Sequence, residues 1–267
     1  MKPSALITGA SSGIGAVYAD RFARRGHDLV LVARDVQRLE ALAARLSAEA
    51  GVRVEVVAAD LSRREDLSGV ERRLREDASI GVLVNNAGLA LAGGFLDQTG
   101  DDISRLVDVN VTALARLANA VAGRFAEAGA GAIINIGSVV GLAPELGMSA
   151  YGGTKAFVLA FSQGLQLELG PKGVYVQAVL PAAVRTDIWE RSGRDVEQIP
   201  GVMSVDALVD AAMVGFDRRE AVTIPPLPDE GQWEAFEAAR KAMLPGYRQE
   251  QPAARYRSKL APALDVQ

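Results

Sequence analysis

Ala5-Leu6-Ile7-Thr8-Gly9-Ala10-Ser11-Ser12-Gly13-Ile14-Gly15 decides the reading of this 267-residue chain. A short apolar run ends in a glycine-rich turn, and Val17, Tyr18, Phe22 and Ala23 follow at helical spacing. Strand, turn and helix start stand in the order that phosphate binding requires. Glycines let the backbone bend and approach a pyrophosphate, and the unpaired amides at a helix N-terminus attract its charge. Gly9, Ser11, Ser12, Gly13, Ile14 and Gly15 are the residues so placed. Their spacing is Gly-x-x-x-Gly-x-Gly rather than the Gly-x-Gly-x-x-Gly of the common dinucleotide fingerprint, and a purely structural turn is the competing reading.

Working outward, residues 28–33 form a second apolar run that ends at Arg34-Asp35. In dinucleotide folds an acidic residue at this strand end would bind the ribose 2′-hydroxyl, whereas an arginine accommodates a 2′-phosphate. Arg34 therefore favours NADP(H), with an exposed loop charge as the alternative, and Asp35 caps a helix over 36–50. Residues 53–59 make a third strand with Asp60-Leu61 at its end. The Asp60 carboxylate is suited to accepting from an adenine amino group or to capping the next helix. A fourth strand, 80–84, runs into Asn85-Asn86-Ala87-Gly88, where asparagines can hold a loop and Gly88 permits close approach of a ligand.

Residues 101–128 predict one long amphipathic helix with Val107, Val111, Leu114 and Leu117 on its apolar stripe and Asn110 within it. A strand over 132–137 leads to Ser138, a helix spans about 149–169, and a strand over 174–180 ends in Pro181-Ala182-Ala183-Val184-Arg185-Thr186. This alternation predicts an α/β fold: a Rossmann-type doubly wound parallel sheet in three layers, forming a single domain over 1–246 with a tail over 247–267. Ligands of such sheets sit beyond the carboxyl ends of the strands, where 9–15, Arg34, Asp60, 85–88, Ser138 and 181–186 all fall. Residues 187–228 supply a substrate lid and adjoining elements. Trp233, Phe236, Met243 and Leu244 form a helical stripe that reads as core, with a subunit contact as the alternative.

Composition narrows the function. The net charge is −4, so no basic field recruits nucleic acid or an anionic membrane. There is no cysteine and one histidine, His27, which leaves no material for thiolate chemistry, a Ser-His-Asp triad or a multi-histidine metal site. No apolar run approaches a membrane span, and the expected location is cytoplasmic.

The reactive chemistry falls on Tyr151-Gly152-Gly153-Thr154-Lys155. Four residues apart on a helix, Tyr151 and Lys155 share a face, and an ammonium beside a phenol favours the phenolate and lets it exchange a proton near neutral pH. Ser138 can polarise the same oxygen from the other side. The competing reading is a buried ring beside a solvated amine.

Taken together, Thr8-Gly9-x-x-x-Gly13-Ile14-Gly15, Asn85-Asn86-Ala87-Gly88, Asn110, Ser138 and Tyr151-x-x-x-Lys155 resemble the short-chain dehydrogenase/reductase family over residues 4–225. The resemblance implies that Tyr151 is the general acid/base, that Lys155 lowers its pKa and holds the nicotinamide ribose, that Ser138 orients the substrate oxygen, and that Asn110 supports a water relay to Lys155. It further implies that Pro181, Val184 and Thr186 anchor the nicotinamide, that Asn86, Ala87 and Gly88 line the cofactor, and that helices 101–128 and 149–169 pair in a homodimer or homotetramer. The expected activity is NADP(H)-dependent interconversion of a carbonyl and an alcohol. The alternatives are a 3-oxoacyl thioester reductase and a non-catalytic NADP(H)-sensing protein. Leu89, Leu91, Phe95, Val139, Leu142, Ala143, Leu146, Met148, Ile188 and Trp189 are candidates for an apolar pocket, which points to a hydrophobic small-molecule substrate; Glu145, Arg185 and Arg191 are candidate polar contacts. Two departures from the family pattern are Ala182 after Pro181, where glycine is usual, and the pair Gly152-Gly153.

Overall fold

The computed structural model describes residues 2–186, 196 and 199–257. Its centre is a seven-stranded parallel sheet in the order β3-β2-β1-β4-β5-β6-β7. The strands are β1 (Ser4–Thr8), β2 (Leu29–Ala33), β3 (Val54–Ala58), β4 (Ile80–Asn85), β5 (Ala132–Ile136), β6 (Tyr175–Val179) and β7 (Val222–Thr223). Neighbouring residues of one strand enter opposite cores. Ile7, Leu31, Val84 and Ile134 join one apolar cluster, while Leu6, Val30, Leu83 and Ile133 join another. Burial on both faces explains why these strands read as unbroken apolar runs.

Helices α1 (Gly13–Arg24), α2 (Val36–Ala50), α3 (Arg64–Glu76), α4 (Gly100–Val107), α5 (Leu114–Ala128) and α6 (Ser149–Leu169) connect the strands. Asp35 caps α2, its carboxylate accepting from the Arg38 amide at 3.0 Å, and the helix ends at Gly51 in the left-handed conformation. The chain turns from β1 toward β2 on one side and toward β4 on the other, so a crevice opens where the strand order reverses.

The single helix expected over 101–128 is instead broken by a π-helical segment, Asp108–Ala113, between α4 and α5. Such a segment takes one extra residue into the turn and shifts the register of what precedes it. Val107, expected on the apolar stripe, is therefore exposed, while Leu106, Val109 and Asn110 are buried.

The chain divides into a unit Met1–Pro226 and a unit Leu227–Gln267; the sequence alone places a boundary at 246. In the second unit, the helix Glu230–Ala242 buries none of its residues. The stripe expected to be core is a surface feature: Trp233 stacks on Phe236 at 5.4 Å between ring centres, and Phe236, Met243 and Leu244 are all exposed. The proposed lid residues Asp187, Ile188, Trp189 and Arg191 lie outside the described residues. Among the described residues, no helix is long and apolar enough to cross a membrane.

Candidate active site

A cleft of about 920 Å³ opens over the carboxyl ends of the strands. Gly9, Ser11, Ser12, Gly13, Ile14, Arg34, Asp60, Leu61, Asn86, Ala87, Gly88, Ser138, Tyr151, Lys155, Pro181, Val184 and Thr186 all line it. Gly15 and Asn110 are absent from the lining, and each has another place.

The glycine turn is braced from β4. Thr8 Oγ1 donates to the Val84 carbonyl at 3.2 Å and accepts from the amides of Asn86 and Ala87, both at 3.0 Å. Asn86 Nδ2 donates to the carbonyls of Thr8 and Gly9 at 2.9 and 3.2 Å. Gly9 has φ +65°, and a Cβ there would lie 2.8 Å from Asn86 Nδ2 and 2.9 Å from Ala87 Cα. A Cβ on Gly15 would meet Asn86 Nδ2 and the Gly9 carbonyl at 2.5 Å, so Gly15 serves the packing of α1 under the turn. Ser12, the N-cap of α1, makes no side-chain capping bond, and the first turn carries no acidic residue. The α1 amides thus face the cleft as an anion cradle.

At the β2 end, Arg34 Nη1 lies 3.9 Å from Asp60 Oδ2, and Arg34 is half exposed. Asp60 Oδ1 accepts from the amide and hydroxyl of Ser62 at 3.0 and 2.7 Å. Burial pushes the Asp60 carboxyl up, but the Ser62 hydrogen bonds and the Arg34 and Arg105 charges outweigh it and hold the group below the usual carboxylate range. Arg38 and Arg105 also line the cleft. Neither is singled out by the sequence. Arg38 lies in the first turn of α2, four residues after Arg34 and so near it in sequence, whereas Arg105 on α4 is remote in sequence and reaches Asp60, which its charge acts on, only through the fold.

Ser138, Tyr151 and Lys155 come together at α6. Gly141 makes this possible: a Cβ there would lie 2.6 Å from Lys155 C and Ala156 N, so the turn after Ser138 packs directly on the α6 backbone. Ser138 Oγ accepts from the Val140 amide at 3.2 Å, and its single hydroxyl hydrogen serves either the Pro181 carbonyl, at 3.3 Å, or the Tyr151 phenol oxygen. Lys155 Nζ lies 5.6 Å from the Tyr151 ring centre and donates to the Ile136 carbonyl at 2.9 Å. Burial pushes the phenol up to about 12, opposed by the Ser138 hydrogen bond. It draws Lys155 down to about 8. The lowering of the Tyr151 pKa expected from Lys155 is not what the structure gives: desolvation of the buried phenol dominates and raises it.

Asn110 is buried behind these groups. Its Oδ1 accepts from the Leu89 amide at 2.8 Å, and its Nδ2 donates to the Leu89 carbonyl at 2.9 Å and Thr154 Oγ1 at 3.1 Å. The other end of the cleft is apolar. Leu89, Val139, Leu146 and Met148 line it as expected, joined by Val140, Ile199 and Pro200. Leu91, Phe95, Leu142, Ala143, Glu145 and Arg185 are outside its lining; Phe95 is exposed. Ala182 borders the cleft on the segment whose Val184 bridges Met203. Gly152 has a packing reason, since a Cβ would meet Val140 Cγ1 and its carbonyl at 3.3 Å; nothing in the structure explains Gly153.

Residues 3–197 match the family described as short chain dehydrogenase. Among solved structures, a short-chain dehydrogenase from Sphingobium yanoikuyae in complex with NADPH is 66% identical, with a TM-score of 0.94 and coverage of 96% of this chain and all of that one. The bulky-bulky ketone specific alcohol dehydrogenase from Comamonas testosteroni is 58% identical, with a TM-score of 0.89 and coverage of 95% and 98%. A curated relative, the very-long-chain 3-oxoacyl-CoA reductase of Anas platyrhynchos, is 36% identical over 186 residues, 68% of this chain and 60% of the relative. The match thus spans about three-fifths of that relative's length.

Proposed function

The chain belongs to the short-chain dehydrogenase family, and from that premise we propose that it is an NADP(H)-dependent oxidoreductase interconverting a bulky ketone and its secondary alcohol. One observation carries the reading: Ser138, Tyr151 and Lys155 meet at the junction of a cradle for phosphate and an apolar recess. The cleft fits a dinucleotide, for Gly9 and Gly13 take positive φ and the α1 amides are uncapped. Arg34, Arg38 and Arg105 would receive a 2′-phosphate. NADPH, when bound, supplies the hydride that adds to the carbonyl carbon.

The protein's own part is protonic and geometric. Tyr151 Oη, neutral at pH 7, gives its proton to the substrate oxygen as negative charge develops there. Ser138 Oγ donates a hydrogen bond to the same oxygen, and the Lys155 ammonium stabilises the phenolate left behind. Solvent then returns a proton to Tyr151. Leu89, Val139, Val140, Leu146 and Met148 exclude water and receive the two apolar arms of the ketone. The reading takes residues 1–246 as the working domain with 247–267 as a tail, a cytoplasmic location, and a homodimer or homotetramer, the last tested by sedimentation.

The test is NADPH oxidation with diaryl and aryl-alkyl ketones. Wild type turns them over, and Tyr151→Phe lowers turnover by about 10²-fold or more while NADPH still binds. Retained turnover in Tyr151→Phe would remove the tyrosine from its role. A second reading, reduction of 3-oxoacyl thioesters, is favoured by the 3-oxoacyl-CoA reductase among the relatives. Turnover of a 3-oxoacyl-CoA with none of the ketones would replace the first reading with the second.

A further inference from the structure

We infer that Thr154 is a positioning residue for the reaction: its hydroxyl fixes the Asn110 amide and, through it, the Leu89 wall of the cleft relative to Tyr151 and Lys155. The inference rests on the proposed reductase reading for its kinetic consequence, but the structural link stands by itself. Thr154 is buried, 5% exposed, on the inner face of α6. Its Oγ1 donates to the Tyr151 carbonyl at 2.7 Å and accepts from Asn110 Nδ2 at 3.1 Å. Only a group that is donor and acceptor at once can close this relay. The β-branch restricts the rotamers available to that hydroxyl.

The relay continues on both hydrogen-bonding groups of one residue. Asn110 clasps Leu89 by its amide and its carbonyl, at 2.8 and 2.9 Å. One hydroxyl thereby joins three segments remote in sequence: the loop after β4, the π-helical turn and the helix of Tyr151 and Lys155. Gly88, next to Leu89, shows where these groups stand relative to one another. A Cβ there would lie 3.4 Å from Asn110 Oδ1 and 3.7 Å from Lys155 Nζ, so the amide and the ammonium flank the same backbone position. Rotation of the Asn110 amide would displace the Leu89 backbone, which lines the cleft beside Lys155. Displacement of reacting groups by even an ångström is costly in rate.

The test compares Thr154→Val, nearly isosteric but without the hydroxyl, Thr154→Ala, which removes any question of crowding, and Thr154→Ser, which restores the hydroxyl. Hydrogen exchange at the Leu89 amide reads the link without activity. Exchange should accelerate in the Val and Ala variants, return to the wild-type rate in Ser, and stay unchanged at Leu6 in β1. In the ketone assay, the Val and Ala variants should lose about 10- to 100-fold in kcat. KM and NADPH affinity should hold within about threefold, with kcat recovered in Ser. Unchanged Leu89 exchange in Val and Ala, or equal losses in Val and Ser, would overturn the inference, as would an unaltered kcat. If wild type reduced no ketone at all, the proposed function would fall, and the exchange comparison would still decide the Thr154 link.

Discussion

Lys155 and Tyr151 stand one helical turn apart, with Nζ 5.6 Å from the centre of the phenol ring, and burial favours the neutral form of both. At pH 7 the tyrosine is neutral. The lysine retains a charge that it holds only weakly, with the Ile136 carbonyl as its hydrogen-bond acceptor.

Lys155 carries a stability cost with a definite pH dependence. Its folded pKa of about 8 lies below the ordinary lysine value of 10.5. Between these values the unfolded chain binds the proton and the folded chain does not, so stability rises with pH across this window. Lys155→Met should therefore melt at a higher temperature than wild type at pH 7, with the gap narrowing from about pH 8 to about pH 10. A gap independent of pH would show that packing, rather than ionisation, sets the difference.

Arg34, from the turn after β2, Arg38, from α2, and Arg105, from α4, all line the cleft. Arg34→Ala should weaken NADPH by about tenfold or more and leave NADH nearly unchanged, since charge-assisted contacts to a phosphate contribute roughly 1.5–3 kcal/mol. Separate fluorescence titrations with the two nucleotides measure this. Equal weakening of both would mean that Arg34 supports the loop and does not read the 2′-phosphate. Arg105→Ala should shift the same ratio in the same direction.

The glycines of the site differ in kind. Gly9→Ala places a methyl against Asn86 Nδ2 and the Ala87 backbone at φ +65°, and should cost about 2 kcal/mol or more and abolish nucleotide binding. Gly153→Ala meets nothing within 4 Å and should raise stability by about 0.5–1 kcal/mol. Denaturant melts of the pair decide both. A destabilised Gly153→Ala would reveal a constraint at that position.

Arg21 clamps α1 to the helix Val205–Asp217, its Nε and Nη2 reaching Asp210 and Asp206 at 2.6 and 2.7 Å. These two carboxylates are more than half exposed, so screening limits the gain, and Asp20, the buried third partner of Arg21, keeps Arg24 and Arg45 beside it. Arg21→Ala should lower stability by about 1 kcal/mol, and the difference should shrink in high salt. Arg21→Lys should recover only part, because one ammonium cannot reproduce the fork. A loss unaffected by salt would assign the residue to packing by its aliphatic stem.

The sequence by itself determined the elements and their order. The apolar runs read over 5–7 and 28–33 reappear as strands Ser4–Thr8 and Leu29–Ala33, and the Asp35 cap and the 36–50 and 149–169 helices as read, because each is encoded by periodicity and capping within a few residues. It also brought Gly9, Ser138, Tyr151 and Lys155 to one side of the sheet, since strand ends are legible and parallel topology collects them. Only the tertiary structure decided the rest. The π-helical turn that buries Asn110 and exposes Val107 depends on the partners that Leu89 and Thr154 offer from distant segments. Arg105 enters the cleft through the path of α4. The upward shift of Tyr151 and the downward shift of Lys155 arise from desolvation, which sums over every residue packed around them. Periodicity is a property of neighbours along the chain, whereas burial and electrostatic environment are properties of neighbours in space.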